Sequence, residues 1–89
     1  MNEASKLFRE RIEAASEDVK IQVDLMFGVS DKIAGLLKER GMTQKDLAKK
    51  MGRTEAEVSR WLSGMHNFTL ATIAKITAEL GTDILSVSK

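Results

Sequence analysis

Glycine at positions 41, 52, 64 and 81 constrains this chain more than any other feature, because no proline is present to end a helix. Each of these glycines follows a stretch with helical spacing, as C-terminal caps in the left-handed conformation do. Start signals lie between them. Thr43 precedes Gln44-Lys45-Asp46, and Thr54 precedes Glu55-Ala56-Glu57, where T-x-x-E is the capping-box pattern. Thr69 is placed to cap the next segment, and Ser16 precedes the acids Glu17 and Asp18, which suit a helix N-terminus. The second half of the chain therefore divides into short helices over 43–51, 54–63 and 69–80, joined by tight connections.

The first half gives two further helices. Over 3–15, Leu7, Phe8, Ile12 and Ala15 fall on one face, an amphipathic pattern. Over 17–40, Val19, Val23, Met26, Ser30, Ile33 and Leu37 recur at steps of four and three. Val19, Ile21, Val23 and Leu25 also alternate as a strand would, but no other segment offers that strand a partner, and Lys32 to Arg40 is helical in pattern. Gly28 and Gly35 each cost such a helix about 1 kcal/mol relative to alanine, so a bend near Gly28 to Ser30 is an open alternative. The apolar positions of the short helices are Leu47, Ala48 and Met51; Val58, Trp61 and Leu62; and Leu70, Ile73, Ile76 and Leu80. Residues 82–89 hold Ile84, Leu85 and Val87 and read as a final turn, a short strand or a dimer-forming tail. The expected fold is all-α, a five-helix domain containing a helix-turn-helix plus an added N-terminal amphipathic helix.

Composition removes most enzymatic chemistry. The chain has no cysteine, which excludes thiol chemistry and zinc fingers, and its one histidine, His66, cannot build a multi-histidine metal site. No phosphate-cradling glycine motif occurs, and Gly28 and Gly35 lie in a helical pattern. No catalytic residue, cofactor or metal is expected, and no apolar run is long enough to span a membrane. The N-terminal Met-Asn-Glu-Ala-Ser-Lys lacks a signal-peptide core, so a cytoplasmic location is expected.

Residues 43–63 place a helix, a turn of about four residues containing Gly52, and a second helix in succession, the unit that enters the DNA major groove. Ala48 supplies the small residue where two steeply crossing helices approach, and Gly52 tolerates the positive φ of the turn. Val58, Trp61 and Leu62 form the buried stripe of the second helix, which leaves Glu55, Ala56, Ser59 and Arg60 outward. At the spacing of Trp61 from Val58, a core role outweighs stacking on a nucleic-acid base.

Residues Gly41-Met42-Thr43-Gln44-Lys45-Asp46-Leu47-Ala48-Lys49-Lys50-Met51-Gly52 resemble the G-x-T-Q-x-x-L-A-x-x-x-G signature of repressor-like helix-turn-helix proteins, the Xre and phage-repressor superfamily. Val58-Ser59-Arg60-Trp61-Leu62-Ser63-Gly64 continues that pattern. The stretch from His66-Asn67-Phe68-Thr69-Leu70 through Thr72, Ile76 and Leu80-Gly81 is similar to the ending of small antitoxin-type regulators. The resemblance covers 27–81, which leaves 1–26 as an N-terminal extension for packing, dimerisation or partner binding and 82–89 as a tail.

The resemblance implies double-stranded DNA as the ligand and a homodimer as the bound form. Gln44 would hydrogen-bond a phosphate and brace the recognition helix, with Thr43 beside it at the DNA and Lys45 as an alternative to Lys49 for electrostatic attraction. Glu55, Ala56 and Arg60 occupy positions that reach base edges, and Arg60 can engage guanine O6 and N7 together. Thr54 and Ser59 would meet phosphate or base, Ser63, His66 and Asn67 lie in the loop that returns to the backbone, and Arg53 and Lys49 add positive charge. Glu55 and Glu57 depart from the polar or basic residues usual there. Capping explains Glu57 by its spacing, whereas Glu55 either caps or accepts from cytosine N4. The alternative function is an antitoxin whose N-terminal region sequesters a cognate toxin, with DNA binding serving autoregulation. The formal net charge of +1 divides unevenly: residues 1–40 carry seven basic and eight acidic side chains, whereas 41–68 carry five and three. The small excess over the helix-turn-helix predicts weak non-specific affinity, with discrimination left to a few groove contacts and dimerisation.

Overall fold

The computed structural model describes residues 3–87; Met1, Asn2, Ser88 and Lys89, at the ends of the expected extension and tail, lie outside the described residues. The chain forms α1 (Glu3–Ala14), α2 (Glu17–Glu39), α3 (Gln44–Met51), α4 (Glu55–Trp61) and α5 (Leu70–Leu80). There is no strand among the described residues, and the fold is all-α with the five helices the glycine punctuation predicts.

The threonine caps form as their spacing demands. Thr43, Thr54 and Thr69 each stand in extended backbone, and each hydroxyl accepts from the backbone N–H three residues on. Gly41, Gly52, Gly64 and Gly81 all have positive φ. At Gly52, φ is 65°, and the following Arg53 N–H reaches back to the Ala48 carbonyl at 2.8 Å. That bond satisfies an orphan carbonyl of α3 and turns the chain within three residues toward α4. Ser16 occupies the N-cap position of α2 but makes no side-chain cap; its hydroxyl donates to Asp18 at 2.6 Å instead.

α2 runs unbroken for 23 residues, so the strand alternation is not realised and no fresh helix starts at Ser30. A Cβ added at Gly28 or Gly35 would meet nothing within 4 Å. Packing therefore does not require either glycine, and the helix persists despite their propensity cost because its C-terminal half is held by the core. The expected boundary at 26/27 falls inside this helix.

That core gathers Val29, Ile33, Leu36 and Leu37 of α2, Leu47 and Ala48 of α3, Val58 and Trp61 of α4, and Ile73, Ile76 and Leu80 of α5. Ile84 joins them from beyond α5, and the Arg40 guanidinium donates to the Thr82 hydroxyl at 2.9 Å, fastening this segment to the end of α2. Two expectations fail at the core's edge. Leu70 shares its helical spacing with the apolar Ile73, Ile76 and Leu80, yet it is 76% exposed, whereas those three are buried. Val19 is also exposed, and Val23 and Met26 are only half-buried, since the core begins at Val29 and α2 projects beyond it. α1 packs against α2.

Candidate nucleic-acid interface

Short helices expose whatever their anchoring residues do not bury. α4 is held by Val58 and Trp61, both buried. At about 100° per residue, Ala56, Ser59 and Arg60 lie on the side opposite those two anchors, with Glu55 at its flank. All four are exposed. No hydrogen bond or ion pair engages the side chains of Glu55, Ser59 or Arg60 among the described residues. Helix α4 ends at Trp61, two residues earlier than the spacing suggests. The Ser63 hydroxyl turns back to donate to the Arg60 carbonyl at 2.7 Å and accepts from the Met65 N–H at 3.2 Å.

The start of α3 presents Thr43, Gln44 and Lys45, all exposed. A complete capping box closes this helix: the Asp46 N–H donates to the Thr43 hydroxyl at 3.1 Å, and the Thr43 N–H donates to the Asp46 carboxylate at 2.9 Å. The backbone N–H of Thr43, aided by its hydroxyl and by Lys49 and Lys45, holds the Asp46 carboxyl below the usual carboxylate range. Gln44 and Lys45 remain free of side-chain partners among the described residues.

At the head of α4 the capping box is only half formed. Thr54 accepts from the Glu57 N–H at 3.1 Å, but the Glu57 carboxylate turns away from the Thr54 N–H. It meets the Arg53 guanidinium and the Thr54 hydroxyl, each at 3.3 Å. Arg53 is an i,i+4 neighbour and carries a full charge, so it out-competes the amide for this carboxylate. Glu57 thus differs from the expected cap, and Arg53, expected as a free cation, is ion-paired and half-buried. Lys45, Lys49, Lys50 and Arg60 are the exposed cations of α3 and α4 without an ion pair among the described residues.

The loop after α4 separates the remaining candidates. The His66 ring packs edge-on to Phe68, with centroids 4.7 Å apart, which makes it half-buried loop support. Asn67 is exposed but lines a small apolar depression with Leu25, Leu70 and Leu85. Two connections that position α4 escape a reading of spacing. Ser30, 2% exposed, donates to the Trp61 carbonyl at 2.6 Å, tying the end of α4 to α2. Gly64, at φ 90°, lies under the Phe27 ring, where an added Cβ would come within 2.5 Å of ring carbon. The recurrence of Ser30 in the apolar stripe of α2 is the one sequence signal for the first; the second has none.

Among the described residues there is no metal-binding cluster, and no helix is long and apolar enough to cross a membrane. No curated protein and no solved structure matches the chain. A model of the helix-turn-helix family does match, over residues 33–86, a span that begins inside α2 and takes in α3, the Gly52 turn, α4, α5 and Ile84. With more than half of its length in that match and its helices arranged to suit, the chain belongs to the repressor-like helix-turn-helix family of DNA-binding regulators.

Proposed function

We propose that this protein binds a specific double-stranded DNA sequence as a dimer on a palindromic operator, with α4 in the major groove of each half-site. The observation that carries the reading is the outer face of α4. Ala56, Ser59 and Arg60 are exposed, and the Ser59 and Arg60 side chains have no partner among the described residues, while Val58 and Trp61 fix the helix from behind. In this docking Arg60 engages a guanine through O6 and N7, and Ser59 meets a neighbouring base or phosphate. Gln44 and Thr43 at the start of α3 hold the backbone, aided by Lys45. Thr54 and Ser63 flank the groove from the two ends of α4. Arg53 contributes little charge while Glu57 holds it, and His66 and Asn67 act through the shape of their loop.

Glu55 has no ion pair among the described residues and stands at the leading edge of α4, where a carboxylate accepts from cytosine N4 and repels phosphate. It therefore favours specificity over general affinity. A two-fold arrangement places half-sites about 34 Å apart, one turn of DNA, and supplies the contact area that a single small module lacks. Titration of the full chain against labelled DNA from upstream of its own reading frame, at two salt concentrations, tests the proposal. Saturable binding that weakens as salt rises is the expected result; binding indifferent to both sequence and salt would refute it.

A further inference from the structure

The carbonyls in the last turn of a helix have no partner within it, and what takes them up fixes how the helix ends. On α4 the Val58 and Ser59 carbonyls accept from the Leu62 N–H, and the Arg60 carbonyl accepts from the Ser63 N–H and hydroxyl. The Trp61 carbonyl receives no backbone donor among the described residues; it accepts from the Ser30 hydroxyl of α2 at 2.6 Å. A serine inside a helix often spends its hydroxyl on the carbonyl four residues back. Ser30, buried midway along α2, spends it instead across 31 positions, on the residue next to Arg60. Phe27 lies one turn earlier on the same face of α2, and its ring covers Gly64, where φ is 90°. One turn of α2 therefore holds the chain at both 61 and 64, the segment in which α4 ends.

These contacts supply what the apolar anchors of α4 do not. α4 has seven residues, a rod of about 10 Å. Val58 and Trp61 hold it by burial, which is non-directional and tolerates some roll of the helix about its axis. A short hydrogen bond to a buried carbonyl is directional. It fixes the rotation of the last turn, and with it the direction in which Arg60 leaves the helix. A bidentate arginine–guanine contact requires that, because a recognition group must be held within about 0.5 Å of its productive geometry by neighbours that are themselves locked. Ser30 and Phe27 both precede residue 33, where the helix-turn-helix match begins. The grip on α4 thus comes from a part of α2 outside that span.

We propose that Ser30, backed by the Phe27 ring, is a positioning residue for DNA reading: it sets the angle at which Arg60 meets its base pair. Being buried, Ser30 does this without touching DNA. This role rests on the major-groove docking of α4 given above and adds to it the residues that aim the contact from behind.

Full-chain wild type, Ser30→Ala, Phe27→Leu, Arg60→Ala and the Ser30→Ala/Arg60→Ala double variant are titrated with the labelled upstream duplex and with its single-base variants. One salt concentration is used, and circular dichroism confirms helicity. The readout is the ratio of affinities at the base pair that Arg60→Ala identifies, about 5- to 150-fold for a bidentate arginine. A partly unfolded variant loses affinity for every duplex by the same factor, so this ratio does not move with stability. Ser30→Ala should lower the ratio by about 3-fold or more, and Phe27→Leu should lower it in the same direction. In the Arg60→Ala background Ser30→Ala should change it no further; a further loss there overturns the inference. Were Ser30→Ala not to fold, Phe27→Leu, at a position 37% exposed, carries the same readout. If Arg60→Ala loses the ratio while Ser30→Ala and Phe27→Leu keep it, the contacts from α2 do not aim Arg60, and this inference fails while the docking stands. If Arg60→Ala keeps every wild-type preference, the docking and this inference fail together.

Discussion

Replacing Ser30 by alanine removes one oxygen from the junction that sets α4, and two opposing effects decide the outcome. The hydroxyl is 2% exposed and donates to the Trp61 carbonyl at 2.6 Å; that carbonyl has no other hydrogen-bond donor among the described residues. Leaving a buried acceptor unsatisfied costs about 1–3 kcal/mol. Alanine is the better helix former, which offsets roughly 0.5 kcal/mol of that in the interior of α2. The net expectation is a destabilisation of about 0.5–2.5 kcal/mol, or a fall in Tm of roughly 2–20 °C for a domain of this size. Trp61 is the only tryptophan and is buried, so its fluorescence reports unfolding directly in a urea titration at fixed protein concentration. Ser59→Ala is the control: exposed and without a side-chain partner among the described residues, it should show only the small propensity gain. If Ser30→Ala matches that control, the buried hydrogen bond adds no net stability and the anchor for α4 does not exist.

Other perturbations follow from the same geometry. Gly64→Ala forces a side chain into a positive φ and against the Phe27 ring, and should cost about 2–4 kcal/mol in the same urea titration. Shortening the ring by Phe27→Leu should relieve part of that cost in the double variant, and equal costs in both backgrounds would show that the ring is not the obstacle. Glu57→Gln frees Arg53 and removes an acid beside α4 at a stability cost of roughly 0.5 kcal/mol or less, because the pair is a partly exposed i,i+4 contact. Non-specific DNA affinity should rise, and the slope of log K against log salt should steepen by about one. The Asp46 carboxyl is held below its usual pKa by the Thr43 N–H, so its contribution is present above the unfolded value near pH 4 and is lost as pH falls through the folded value. Wild type should therefore exceed Asp46→Asn in stability at neutral pH, and the gap should close in acid when both are followed by urea titration.

The order of the helices and most of their ends are legible because they depend on local chemistry; the end of α4 at Trp61, two residues short of the expected 63, is the exception. A threonine hydroxyl accepting from the N–H three residues on, or a glycine accepting positive φ, needs no information from elsewhere in the chain. Trp61 and Val58 were equally readable as the anchors of α4, since spacing alone assigns them to one face. Leu70 shows where spacing stops: its register is right, but the neighbours that would cover it lie far off in sequence, and none does. Glu57 failed for a different reason. Its spacing permits a capping box, yet Arg53, four residues back, competes for the same carboxylate, and only side-chain geometry reveals which wins. The bond from Ser30 to the Trp61 carbonyl spans 31 positions, and the approach of Phe27 to Gly64 spans a similar distance. Such contacts are set by helix crossing, which periodicity does not encode. Of the candidate interface, the residues of α3 and α4 could be named from the motif; the loss of Arg53 to an ion pair could not.

The central claim is that the outer face of α4 reads base sequence. It is tested most directly by measuring affinities of wild type and Arg60→Ala for a bound operator and for the set of its single-base variants at one salt concentration. Arg60→Ala should abolish discrimination at one position in each half-site, worth about 1–3 kcal/mol, and leave preferences elsewhere intact. Gln44→Ala in the same assay should weaken every sequence alike. An Arg60→Ala profile that keeps the wild-type preference at every position would mean that α4 does not read sequence through Arg60.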